Sequence, residues 1–312
     1  MANVTYVEKR LPDGQLVKTF WDRYFGDERM RFYISLGLVL VLVGLVVFSY
    51  FTAYHGQDYR DDQKQLAPRI AAPTHLFGTD EAGRDIFLRA LVSAKVFFLP
   101  ALLAIVISCA LGTAVGIAGG GIWRGRVAGW IEFGALGLLD TLESFPKYVT
   151  LLMFITVIPQ PNFFDIAALL GVMNVARMGK LIVGRIGFLK ERAFVQASEA
   201  LGISKLDLVL RHILFYNCLG LYIILASTLM VEVVLIEVAL NYFGKVSAYG
   251  LGITVEPPMP SWGNMMEAGS NHFDAWWMTA FPVAAVVVTV LVFYMLGDSA
   301  NKLFGLKRQA VD

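Results

Sequence analysis

The sequence predicts an all-α, polytopic membrane protein with about six transmembrane helices. Two observations carry this. Of 312 residues, 57% are hydrophobic and only 16% charged, more apolar surface than a single soluble core buries. That apolar content is also gathered into about six stretches near the 20 residues a helix needs to cross some 30 Å of hydrocarbon. They lie at 32–51, 96–117, 128–158, 163–183, 215–243 and 277–296.

The leading segment, 1–31, is polar, and no small-residue cleavage site follows the run at 32–51, so that run reads as a retained first span and not a signal peptide. An extracytoplasmic loop follows, with an amphipathic helix before residue 95. There Thr79 stands as a candidate cap over Asp80 and Glu81, and Ile86, Phe87, Ala90 and Ala94 supply an apolar side. Residues 96–300 form the core membrane domain, and 301–312 a tail. The third stretch is overlong and contains Pro146, which predicts a kink, a tilt or an interfacial start. Trp276 and Trp277 stand at the edge of the last span, where indole rings favour the headgroup layer.

Lysine and arginine tend to stay in cytoplasmic loops. With the N-terminus inside, that side receives Lys9, Arg10, Lys18, Arg23, Arg29, Arg31, Arg124, Arg126, the dense run from Arg177 to Arg211, Lys302, Lys307 and Arg308. The opposite side keeps a loop at 244–275 whose only base is Lys245, and both termini are placed inside. A formal net charge of +1 supplies no concentrated basic face, which argues against nucleic acid as a partner. Cys109 and Cys218 lie in or beside apolar stretches with no CxxC pair and read as packing residues.

The connection at 187–215 combines charge, helical periodicity and two cap signals. Leu189, Ala193, Ala197, Ala200 and Leu201 recur at helical spacing, while Lys190, Glu191, Arg192 and Glu199 fill other faces. Gly202 stands where a left-handed cap is needed, and Ser204 precedes Asp207 in a capping-box arrangement ahead of the run 208–214. Two short helices are expected, either an amphipathic loop or a lever that docks on a soluble partner. Here the run from Gln196 to Gly202, followed by Arg211, His212, Ile213 and Leu214, resembles the EAA-glycine-isoleucine-leucine motif of ABC importer permeases. The resemblance implies that Gln196, Ala197, Ser198, Glu199, Gly202, Arg211, His212, Ile213 and Leu214 contact an ATPase subunit. Gln196 replaces the motif's leading glutamate, and Phe215 stands where a proline is expected.

The resemblance narrows to the C-type inner-membrane subunit of dipeptide, oligopeptide and nickel importers. His75-Leu-Phe-Gly-Thr-Asp-Glu-Ala-Gly-Arg-Asp85 is similar to its HPLGTDxxGRD signature, with Phe77 in place of leucine. Asp140-Thr-Leu-Glu-Ser-Phe-Pro146, Pro257-Pro-Met-Pro-Ser-Trp-Gly263 and Leu296-Gly-Asp298 resemble its DxxxSFP, PPxPSWG and LGD elements. Residues 245–253 look like an insertion. The implied fold is that of a type I ABC importer permease. The implied partners are a homologous second permease subunit, two ABC ATPase subunits, an extracytoplasmic substrate-binding protein and the bilayer of a bacterial inner membrane. ATP and Mg would sit on the ATPase subunits, and this chain would bind no cofactor or metal.

Gly112, Gly116 and Gly120 follow at intervals of four, a ridge for close helix packing within the chain or against the partner. Ionisable groups at membrane depth are Asp140, Glu143, Lys147, Glu232 and Glu237. Glu143 and Lys147 are spaced for an i, i+4 pair. Asp140 and Glu237 match positions acidic in the resembling family and are candidates for the translocation path. The chain carries no GxxxxGK[ST], HExxH or GxSxG, and its four histidines lack metal-ligand spacing. A catalytic role is therefore not expected, and ATP hydrolysis is placed on separate subunits. The expected function is a peptide-importing permease subunit. The alternatives are a proton-coupled secondary transporter using Asp140, Glu232 or Glu237, and a channel-like scaffold.

Overall fold

A computed structural model describes residues 28–52, 76–123, 125–158, 161–215, 217–246 and 260–304. The insertion at 245–253 and the first three residues of the proline-rich loop lie almost wholly outside these, as do 1–27 and 305–312. Ten helices order the described chain: α1 (Glu28–Thr52), α2 (Ile86–Gly119), α3 (Arg126–Ser144), α4 (Lys147–Val157), α5 (Phe163–Met173), α6 (Val175–Leu189), α7 (Ala193–Ala200), α8 (Leu219–Val246), α9 (Trp262–Ser270) and α10 (Trp277–Phe304). Between α7 and α8, a turn at Lys205–Asp207 runs into a π-helical stretch, Leu208–Phe215.

Among the described residues, five segments are long and apolar enough to cross a membrane: Arg29–Ser49, Ile86–Gly119, Phe163–Leu189, Leu219–Tyr242 and Trp277–Phe304. The sixth expected span is broken. Proline lacks an N–H and restricts the residue before it to extended backbone. Accordingly Phe145 (φ −78°, ψ 123°) and Pro146 (φ −65°, ψ 113°) separate α3 from α4. The two halves together still run the height of the bundle, because α2 and α5–α6 travel in the same direction. Gly171 meets Ala104, Gly112 meets Met178 and Gly120 meets Ile186. The chain must return between them, and α3–α4 makes that return, from Glu132 beside Gly121 to Leu139 against Gly179.

The centre is α2, which packs on α6, α5, α8 and α3. Here small residues replace the missing hydrophobic drive between helices in lipid by letting backbones approach closely. A Cβ on Gly112 would lie 2.5 Å from Met178 Cβ, one on Gly116 2.7 Å from Ile182 Cβ, and one on Gly120 2.8 Å from Ile186 Cδ1. The glycine ridge therefore packs within the chain, against α6.

At one end of the bundle, α9 is wedged between α8 and α10. Trp262 donates its indole N–H to Ala90 O at 2.8 Å, and Trp277 donates to Thr79 O at 3.0 Å. Trp277 is thus buried, and only Trp276 of the pair is exposed. No helix starts at Thr79. Asp85 caps α2, accepting from Leu88 N at 2.8 Å. Asp80 instead folds the preceding loop around itself, accepting from Ala82 N, Arg84 N and Arg84 Nε. The amphipathic stretch expected before residue 95 is the first turns of α2 itself.

At the other end, the Phe32 and Phe304 rings stack edge to face at 5.6 Å, bringing the start of α1 beside the end of α10. Lys205 donates to Ile122 O at 3.0 Å, which sets the 187–215 segment at this same end.

Candidate translocation face and coupling segment

Two features stand out from the packed interior. The first is the connection after α6. Gly202 adopts φ +77°, a region costly for residues with a Cβ, and so ends α7. Ser204 then accepts from Asp207 N at 3.1 Å and starts the next turn. Val195, Leu208, Val209 and Leu214 are buried and anchor the connection to the bundle. Gln196, Ala197 and Gly202 are exposed, Ser198 is half-buried, and Leu201 is 81% exposed at the tip. Arg192 lies over the Phe188 ring at 4.5 Å and ties the start of α7 to α6. Glu199 lies on α7, and Arg211, His212 and Ile213 on the π-helical stretch. The sequence-predicted set is therefore split between an exposed tip and a partly anchored base. A wide π turn at the base departs from the simple second helix that the cap predicts.

The second feature is charge at membrane depth. Lys147 donates to Asn174 Oδ1 at 2.9 Å and pairs with Glu232 at 3.2 Å, close to the middle of the spans Phe163–Leu189 and Leu219–Tyr242. Nearly two helical turns further along, Lys180 pairs with Asp140 at 2.7 Å and with Glu143. The i, i+4 pair of Glu143 with Lys147 is not formed, because the break at Pro146 destroys the helical spacing between them. Asp140 and Glu143 keep 69% and 59% of their side-chain surface exposed, and Lys180 40%. Phe145 and Pro146, the unwound residues, are exposed beside them.

Such a face is costly against lipid. Each uncompensated charge costs about 3 kcal/mol or more at the bilayer centre. Irregular backbone at that depth is tolerated only when buried in protein or lining a water-filled cavity. Sequence reasoning missed Lys180 as the partner of Asp140 because the two lie on helices joined only through α4 and α5.

Glu237 behaves differently. It is fully buried, and its carboxylate accepts from Asn241 Nδ2 at 2.9 Å near the α9 end. It does not share a face with Asp140. The three acids considered for a proton relay, Asp140, Glu232 and Glu237, each have a separate partner: Lys180, Lys147 and Asn241.

No protein-family model matches the chain. It is 29% identical over 274 residues to the "Probable D,D-dipeptide transport system permease protein DdpC" of Escherichia coli K12, covering 88% of this chain and 86% of the relative. Over 281 residues it is 28% identical to the glutathione transport system permease protein GsiD of Shigella dysenteriae serotype 1, covering 89% of this chain and 86% of the relative. The GsiD protein of Escherichia coli O1:K1 is 27% identical over the same length. These relatives are transport permeases, and the likeness covers nearly nine-tenths of the chain. With five segments long and apolar enough to cross a membrane and an all-helical described body, the chain is a multi-pass membrane protein similar to the permease proteins of dipeptide and glutathione transport systems.

Proposed function

We propose that this chain is one half of the translocation pathway of an ATP-driven importer of di- or oligopeptides in a bacterial inner membrane, with both termini cytoplasmic. The observation that carries the pathway is the α3–α4 break with Asp140, Glu143 and Lys180 exposed near mid-membrane. That face suits water and a homologous second permease subunit better than lipid. Asp140 lines the path in this reading, and Glu237 holds the α9 cover shut. The tip formed by Gln196, Ala197 and Leu201 docks into an ATPase subunit. Two such subunits bind ATP and Mg, and their closure on nucleotide moves the spans attached on either side of residues 187–215. A substrate-binding protein delivers cargo at the α9 end. This chain itself binds no cofactor and hydrolyses nothing.

The test is reconstitution of the assembled complex in liposomes, measuring labelled peptide uptake and ATP hydrolysis together. ATP-dependent uptake is expected, and Gly202→Val should leave insertion intact while separating hydrolysis from uptake. Uptake by the isolated chain, driven by a pH gradient without ATP, would overturn the reading. Normal coupling in Gly202→Val would overturn the docking role of 187–215.

A further inference from the structure

A groove of about 290 Å3 opens between α6, the start of α8 and the end of α10, at the end of the bundle that carries residues 187–215. Its polar lining is Lys180, Arg185, Asn217 and Asn301, two cations and two amides with no acid. Lys180 is taken by Asp140 and Glu143 on its far side. Arg185 is not. Its Nε is buried without a hydrogen-bond partner, and among the described residues no carboxylate pairs with it. Its guanidinium makes a loose contact with the Phe188 ring, 5.8 Å from the centroid.

Depth sharpens the problem. Arg185 sits about one helical turn, ~6 Å, before the end of the span at Leu189. An unpaired guanidinium there is inside the hydrocarbon boundary but within reach of lipid phosphates. The first turn of α8, with Gly220 in the groove wall, brings the positive end of a long helix to the same place. The remaining wall is apolar, formed by Leu181, Ile224 and Phe304. Leu181 and Phe304 are also 36% and 42% exposed, so the wall continues onto the outer surface of the bundle. An anion-seeking pocket that runs out onto an apolar surface suits an amphiphile.

We propose that this groove binds an anionic phospholipid, with Arg185 holding the phosphate and the acyl chains lying along Leu181 and Phe304. Basic pockets between membrane helices take such headgroups by the same chemistry. The site depends only on the bundle lying in a bilayer, not on the cargo or the motor.

The experiment uses the purified full chain in neutral detergent, titrated with phosphatidylglycerol, phosphatidylcholine or inorganic phosphate, and follows bound lipid by native mass spectrometry. Phosphatidylglycerol is expected to be retained over phosphatidylcholine, and Arg185→Gln should weaken it about tenfold, the loss of one charge-assisted hydrogen bond. Asn301→Asp, which puts an acid in the groove but leaves Arg185 in place, should weaken it in the same direction and serves if Arg185→Gln does not fold. Equal retention of both lipids, or full retention of phosphatidylglycerol in a folded variant of either kind, would overturn the proposal. So would displacement of the lipid by inorganic phosphate at equal concentration, which would make the groove a plain anion site.

Discussion

A methyl group is the smallest test of the seam between α2 and α6. Gly116 faces Ile182 so closely that a Cβ would stand 2.7 Å from Ile182 Cβ and 2.8 Å from the Gly179 carbonyl, neither of which is the free end of a flexible side chain. Gly116→Val should therefore destabilise the bundle by about 1–3 kcal/mol, as overpacking does, read as a lower thermal unfolding midpoint in detergent. An unchanged midpoint would mean that the seam is looser than its geometry. At this scale much was legible in the sequence. The glycine spacing, the left-handed Gly202 and the Ser204 cap are written in local chemistry, because each needs only neighbours a few residues away. What local chemistry hides is choice among rivals. Thr79 and Asp85 are both good caps, and tertiary contact decides: Trp277 claims the Thr79 carbonyl, leaving Asp85 to start α2.

Among elements, the broken sixth traverse is where mechanism and cost meet. Pro146 was visible as an interruption, but its consequence was not. Once α3 and α4 part company, Glu143 turns to Lys180 on α6 while Lys147 reaches Asn174 and Glu232. These partners come from helices far apart in sequence, so no spacing rule announces them. Among the described residues Lys147 is the cation that pairs with Glu232, whose side chain is 16% exposed. Removing it leaves that carboxylate with only the Asn174 amide, which donates at 3.3 Å, and no balancing charge. Lys147→Met should cost on the order of 2 kcal/mol, less than a fully buried pair because Lys147 is a third exposed. Lys147→Met combined with Glu232→Gln should recover most of the loss. A double-mutant cycle on the unfolding midpoint checks this, and strictly additive effects would show that the pair is not coupled.

For the whole molecule, parity organises everything: five apolar spans and one broken traverse return the chain to the end where it began, with 187–215 at that same end. The alternation of apolar stretches made this legible, and basic loops suggested which compartment it faces. In a background with Cys109 and Cys218 replaced by alanine, Leu201→Cys should react with an impermeant maleimide only in inside-out vesicles, and Leu76→Cys only in right-side-out ones. Both residues are well exposed, at 81% and 51%, so burial would not mask the result. Labelling of both from one side would reverse or refute the orientation. The 34 residues of α2 make a rod of about 51 Å, longer than the hydrocarbon it crosses, bonded along its lower half to α6 by the glycine seam. Two rods joined in this way behave as a beam, stiff to bending and free chiefly to tilt. Whatever clasps one end of a tilting beam must change, by the same factor, the grip of whatever clasps the other. In the proposed complex, a protein docking among the tryptophans should thus alter nucleotide affinity far below it, and the nucleotide should return the influence in equal measure.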